Sequence, residues 1–138
     1  MKNSEGGCLC GLIRYRITGA PVSSSLCHCI SCRRASGAPT VAWLTVERGQ
    51  FAILLGSPHN FQSSPGVLRR FCGSCGTALT YENTQNPLTI DITTLSLDDP
   101  NRFPPDDEVW LEHKVSWQIT DPSRGQYPHG TTSGPPDS

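Results

Sequence analysis

Residues 27–37 read CHCISCRRASG, which sets Cys27, Cys29 and Cys32 within six positions, with His28 between the first two and Arg33 and Arg34 directly after the third. Cys27 and Cys29, with one residue between them, are too close in sequence for an ordinary unstrained bridge. The stretch therefore decides whether the chain is built around metal or around disulfides. The other cysteines repeat the local grouping: Cys8 and Cys10 in CLC, and Cys72 and Cys75 in CGSC, seven in all. An odd count, tight clusters and an N-terminus (MKNSEGG) without an apolar leader all weigh against disulfides. Metal is the reading that uses every cysteine.

CGSCG (residues 72–76) has the form of a zinc knuckle, whose small residues let backbone amides point at the thiolates. A redox dithiol would open a helix, whereas GTALTY follows here and reads as a strand. One knuckle supplies two of the four ligands of a closed tetrahedral zinc. CLC, flanked by Gly6, Gly7 and Gly11, is the matching donor. Cys8, Cys10, Cys72 and Cys75 are thus expected to form a structural zinc site. Cys27, Cys29 and Cys32 remain, and three protein ligands with a fourth position for substrate is the general form of a catalytic zinc. In the competing reading His28 or His113 completes a second structural site, although His28, lying between two ligands, is expected to point away. The expectation is two Zn2+ per chain, the second held more loosely.

Elsewhere the pattern is mainly β. LIRYRITG (12–19) alternates apolar and polar residues with period two. TVAWLTV (40–46) and QFAILLG (50–56) read as strands joined by a tight turn at 47–49, and VLRRF (67–71), TALTYE (77–82) and PLTIDITTL (87–95) continue the series. SPHNFQSSPG (57–66) and residues 96–107 read as loops, and EVWLEHKVSWQIT (108–120) as one or two late strands carrying Trp110 and Trp117. Arg69 and Arg70 are expected at the surface, and the tryptophans mostly in the core. With 13 glycines and 12 prolines, long helices are not expected. The division predicted is one small β domain, 1–120, and a Pro/Gly/Ser-rich tail, 121–138, expected to be mobile. Eleven basic against 12 acidic residues gives no basic stripe for nucleic acid and no field for an anionic membrane. No run of about 18 apolar residues occurs. A cytoplasmic location is expected.

The motifs GGCLCG (6–11), CHCISCRRASG (27–37) and FCGSCG (71–76) come in an order that resembles the glutathione-dependent formaldehyde-activating enzyme family, whose domain also occurs in centromere protein V. The resemblance spans about residues 5–120. It implies a β-tent zinc fold and carbon–sulfur lyase chemistry, the reversible joining of formaldehyde to glutathione. It also implies the same division into a closed site and an open three-cysteine site. Two positions depart from the family pattern: Thr40 stands after Gly37-Ala38-Pro39 where a bulky apolar residue is common, and Glu108 stands where many members carry histidine. Trp117 matches the family's late tryptophan.

A thiol held at the open site would ionise more readily and attack the aldehyde carbon, with direct polarisation of the aldehyde as the other possible role of the metal. Arg33 and Arg34 could offset the charge of three thiolates and meet a glutathione carboxylate. A rival class is a non-catalytic, zinc-stabilised binding module on the same fold. A methionine-sulfoxide-type reductase ranks last, because it would need a cysteine free of metal.

Overall fold

TVAWLTV carries apolar or β-branched side chains at every position, and the strand it forms is buried on both faces. In the computed structural model, which describes residues 2–131, the chain folds as β1 (Ser4–Gly7), β2 (Arg14–Ile17), β3 (Ser23–Cys27), α1 (Ile30–Ser36), β4 (Val41–Glu47), β5 (Phe51–Leu55), β6 (His59–Ser64), β7 (Val67–Phe71), β8 (Ala78–Asn83), β9 (Thr89–Thr93), β10 (Asp107–Val109) and β11 (Gly125–Gln126). Strands β1-β2-β5 make a small sheet, and β11-β10-β3-β4-β9-β8-β7-β6 make a large one. The chain is mainly β, as expected. Pairing is antiparallel except where β10 runs parallel to both β3 and β11.

The two faces of β4 explain the two cores. Leu44 and Val46 point toward Ile13, Tyr15, Ile17, Ile90 and Ile92, which fill the space between the sheets. Val41 and Trp43 point to the opposite face, toward Val67, Tyr81 and Val109. A β-bulge in β8 opposite Arg70 and Phe71 lets Leu79 join the first core while Tyr81, two residues on, joins the second. Cys8 and Cys72 sit in the first core, and Cys27, Cys29 and Cys32 in the second. The three-cysteine group is therefore embedded in apolar surroundings, whereas the four-cysteine group reaches the surface at Cys10.

Several local expectations are corrected. β4 and β5 are consecutive but do not pair: a 3-10 turn, Arg48–Gln50, carries the chain from the large sheet to the small one, where β5 pairs with β2. Residues 57–66 are not a loop, because β6 pairs with β7 and forms the edge of the large sheet. Residues 96–107 run as loop and 3-10 turn, yet Leu97 and Phe103 are buried in the first core. After Val109 no further strand forms until Gly125, so Trp117 lies in a turn and is 71% exposed rather than core. Trp43 is buried and Trp110 is half-buried. The near part of the expected tail is docked instead: β11 pairs with β10, and the amides of Trp110 and Leu111 donate to the carbonyls of His129 and Tyr127. Residues 132–138 of that tail lie outside the described residues. No helix among the described residues is long and apolar enough to cross a membrane.

One buried acid gives a pH-dependent expectation. Asp91 on β9 is 6% exposed and accepts a hydrogen bond from the Thr45 hydroxyl. Burial, aided by the negative charge of Cys32, pushes its carboxyl up to about 7. The unfolded chain gives up this proton at lower pH than the folded one, so Asp91 costs stability progressively as pH rises through that interval. Asp91→Asn is expected to be more stable than the parent, with an advantage that grows from about pH 4 and levels off above about pH 7, reaching on the order of 4 kcal/mol. Urea unfolding of both proteins across that range measures it, and pH effects common to both cancel. A pH-independent difference would refute the assignment.

Candidate metal centres

The four-thiol group joins two turns distant in sequence. Cys8 and Cys10 lie on the connection from β1 to β2, and Cys72 and Cys75 on the connection from β7 to β8. The Cys8 and Cys10 sulfurs are 3.6 Å apart, and those of Cys10 and Cys72 3.7 Å. A tetrahedral ion with metal–sulfur bonds of about 2.3 Å requires sulfurs about 3.75 Å apart, so the group has the dimensions of a zinc cage. Backbone amides donate to two of the sulfurs, Ile13 to Cys8 at 3.3 Å and Cys75 to Cys72 at 3.4 Å. The Thr77 hydroxyl lies 3.2 Å from Cys75 Sγ, and this contact leads the causes that draw the Cys75 thiol down to about 5. Such donors stabilise thiolate over thiol. His59 stands directly over the knuckle, where a Cβ at Gly73 would come within 2.5 Å of its ring. Gly73 is thus fixed by crowding as well as by the turn.

The three-thiol group belongs to the β3–α1 junction. Cys27 ends β3, Cys29 caps the N-terminus of α1 by accepting from the Cys32 amide at 3.2 Å, and Cys32 lies in the first turn. Gly37 ends the helix in the left-handed conformation at φ 70°, with its amide bonded to the Arg33 carbonyl. All three cysteines are at most 2% exposed. Their sulfurs lie within 4.8 Å of one another, and no histidine or carboxylate among the described residues joins them. Hydrogen bonds from Cys27 and Cys29 hold Cys32 as the most acidic of the three, and the positive charge of Arg69 adds to this. Cys27 is driven the other way by the same neighbours and by burial.

His28 does point away from the cysteines. Its Nε2 donates to Glu108 Oε1 at 2.8 Å, with both side chains at most 1% exposed. The second Glu108 oxygen accepts from the Asp121 amide at 2.9 Å and lies 3.6 Å from Arg124 Nη1. His113 stacks on Trp110 instead, at a centroid distance of 5.5 Å, and Trp110 is the single non-glycine residue with positive φ among those described. Thr40 has a local use, since its hydroxyl donates to the Cys27 carbonyl at 2.9 Å. Arg33, Arg34 and Trp117 meet across a shallow groove of about 320 Å³ beside the end of α1.

Arg69 is the residue that sequence reasoning placed wrongly. It is 9% exposed, its Nη atoms lie 3.8 and 4.0 Å from Cys32 Sγ, and its guanidinium stacks over Tyr81 at 5.1 Å. The signal was present: Arg69 is two residues from Val67 on a strand, and the two share the inward face.

Comparison with known proteins gives the chain a family. The model of the family described as glutathione-dependent formaldehyde-activating enzyme matches residues 3–113. A Halomonas elongata protein provisionally named as such an enzyme is 28% identical over 123 residues, covering 82% of this chain and 78% of that one. An uncharacterized lyase of Schizosaccharomyces pombe is 31% identical over 93 residues, covering 66% of this chain and 67% of that one. A Rhodobacter sphaeroides protein of solved structure shares the fold, with a TM-score of 0.59 at 21% identity over 71% of this chain and 93% of that one. The family match takes in all seven cysteines, and the chain belongs to the glutathione-dependent formaldehyde-activating enzyme family.

Proposed function

We propose that the chain is a zinc-dependent carbon–sulfur lyase that joins glutathione to formaldehyde reversibly. The reading rests above all on three buried sulfurs, Cys27, Cys29 and Cys32, that converge with no fourth protein ligand among the described residues. The chain would hold two zinc ions, one caged by Cys8, Cys10, Cys72 and Cys75 and a looser one on the three-thiol group. At the second position zinc would supply a Lewis acid able to take a small thiol as its thiolate. In the forward direction the thiol sulfur forms a bond to the aldehyde carbon, and the proton lost by the thiol ends on the aldehyde oxygen. In reverse the carbon–sulfur bond breaks, the oxygen gives up its proton and the sulfur regains one.

The protein's own part is to hold charge and exclude water. Three thiolates and one divalent ion carry a net charge of −1, and a fourth thiolate would add another. Arg69, against Cys32, is placed to offset it. The groove of Arg33, Arg34 and Trp117 offers donors and an aromatic face for the rest of the thiol. His28, tied to Glu108, stiffens the ligand loop from behind. Seven reduced thiols fit a reducing compartment, and the cytoplasm is the location proposed.

Cobalt in place of zinc gives the direct test. Glutathione is expected to change the sulfur-to-cobalt charge-transfer band in the wild type and to leave it unchanged in Cys29→Ala. If no small thiol moves the band, and a histidine or carboxylate of the protein is found on the metal, the lyase reading is wrong.

A further inference from the structure

Trp43 is buried with Cys27, Cys29 and Cys32 in the second core, at 3% exposure, and its indole N–H has no hydrogen-bond acceptor among the described residues. An indole nitrogen only donates, so no change of tautomer satisfies it. Ser25, directly opposite on β3 and two residues before Cys27, is 2% exposed, and its hydroxyl is without a partner as well. Native cores leave few buried polar groups unpaired, and those that remain call for a reason.

The indole is held in place and faces the thiols. Its ring packs against Tyr81 at a centroid distance of 5.9 Å, tilted by 57°. Cys27 and Cys29 do most to draw the Cys32 thiol down, Arg69 adds to this, and the Trp43 indole acts in the same direction. The N–H therefore lies toward the Cys32 sulfur without closing a hydrogen bond to it. Other polar groups around the thiols are committed. Arg69 meets Cys32 Sγ and Ser63 and lies over Tyr81. The Cys32 amide donates to Cys29, the Thr40 hydroxyl donates to the Cys27 carbonyl, and His28 is tied to Glu108.

Addition of a thiol to an aldehyde creates charge at one new place. A sulfur lone pair forms the carbon–sulfur bond, the carbonyl π pair moves onto oxygen, and that oxygen stays negative until the thiol's proton reaches it. Val41, Val67, Tyr81 and Val109 make the surroundings apolar. There a donor already oriented toward the oxygen stabilises it far more than water would. We infer that Trp43 is a catalytic residue of the thiol addition, its indole N–H donating to the aldehyde oxygen as that oxygen becomes negative. The indole keeps its own proton, and the proton that completes the hydroxymethyl group comes from the thiol. In reverse the same hydrogen bond steadies the alkoxide from which the sulfur departs. The inference rests on the thiol chemistry proposed above and adds the group that receives the oxygen.

With three tryptophans in the chain, the indole N–H resonances are few enough to follow singly. In zinc-loaded wild type carrying isotope-labelled tryptophan, Trp110→Phe and Trp117→Phe identify the Trp43 resonance by elimination. Glutathione alone is expected to leave its proton shift in place, and glutathione with formaldehyde to move it downfield, as a new hydrogen bond to oxygen does. Trp43→Phe keeps an aromatic ring against Tyr81 and is expected to lower kcat about a hundredfold, the effect of losing one oxyanion donor, with KM for glutathione within about twofold. A resonance that stays put when formaldehyde is added overturns the inference, and this comparison needs no Trp43 variant to fold. A resonance that moves on zinc loading or with glutathione alone, and no further with formaldehyde, also overturns it, because the donor then serves a sulfur. A folded Trp43→Phe whose kcat stays within about threefold of the parent does the same. A cobalt band that responds to glutathione beside an unmoved indole would keep the lyase reading and remove Trp43 from the chemistry. An indole that moves with formaldehyde beside a band that ignores every thiol would keep the donor and remove the metal-held thiol.

Discussion

Cys72→Ala is expected to yield a protein that aggregates or lacks a cooperative thermal transition, with the zinc content of the caged site lost. Cys72 is 2% exposed and belongs to both the four-thiol group and the core between the sheets. The group fastens the β1–β2 connection, which opens the small sheet, to the β7–β8 connection near one edge of the large sheet. Structural zinc contributes on the order of 10 kcal/mol in small metallo-domains, while whole domains are stable by about 5–15 kcal/mol. Losing one of four ligands thus removes an amount comparable with the total. Circular dichroism melts with metal analysis measure the outcome. A variant melting within a few degrees of the parent would show that the cage is dispensable.

Cys29→Ala is expected to have the opposite profile: a folded protein that loses lyase activity by about a thousandfold or more, the scale of removing a metal-based electrophile. The three-thiol group spans only the β3–α1 junction, so losing its ion releases no distant element. The substitution does remove the acceptor that caps α1, which costs about 1 kcal/mol. Formation of the hydroxymethyl adduct, followed by exchange spectroscopy, gives the activity, and thermal melts give the fold. Equal destabilisation by Cys29→Ala and Cys72→Ala would make both sites structural.

What the sequence revealed followed from strong local signals. Cysteine spacing grouped the thiols as the fold brings them together, because a knuckle turn and a C-x-C pair constrain sulfur positions over a few residues. Apolar and β-branched runs, alternating in β2 and continuous in β4, located β2, β4, β7, β8 and β9 because each faces a core. β6 was missed because HNFQSS is mostly exposed on an edge strand and shows no alternation. Arg69 was misplaced because a charged residue is ordinarily exposed, and its burial depends on a thiolate 37 positions away. Trp117 was assigned to a strand on its apolar neighbours and on the family's late tryptophan, yet it lies in a turn beyond β10. The docking of residues 121–131 had no local signature at all. It depends on backbone pairing to β10 and on one buried carboxylate.

That carboxylate sets where the chain can be cut. Glu108 has its charge shared by His28 on one oxygen and by the Asp121 amide and Arg124 on the other. A fragment trimmed to the family-matched length would keep every cysteine and nearly every core side chain, yet it would take the Asp121 amide and Arg124 away from the second Glu108 oxygen. The turn from Asp121 to Arg124 therefore works as an electrical termination for the loop that carries Cys27 and Cys29. For anyone fusing, truncating or grafting the unit, a cut before Arg124 would take away two of the partners of Glu108.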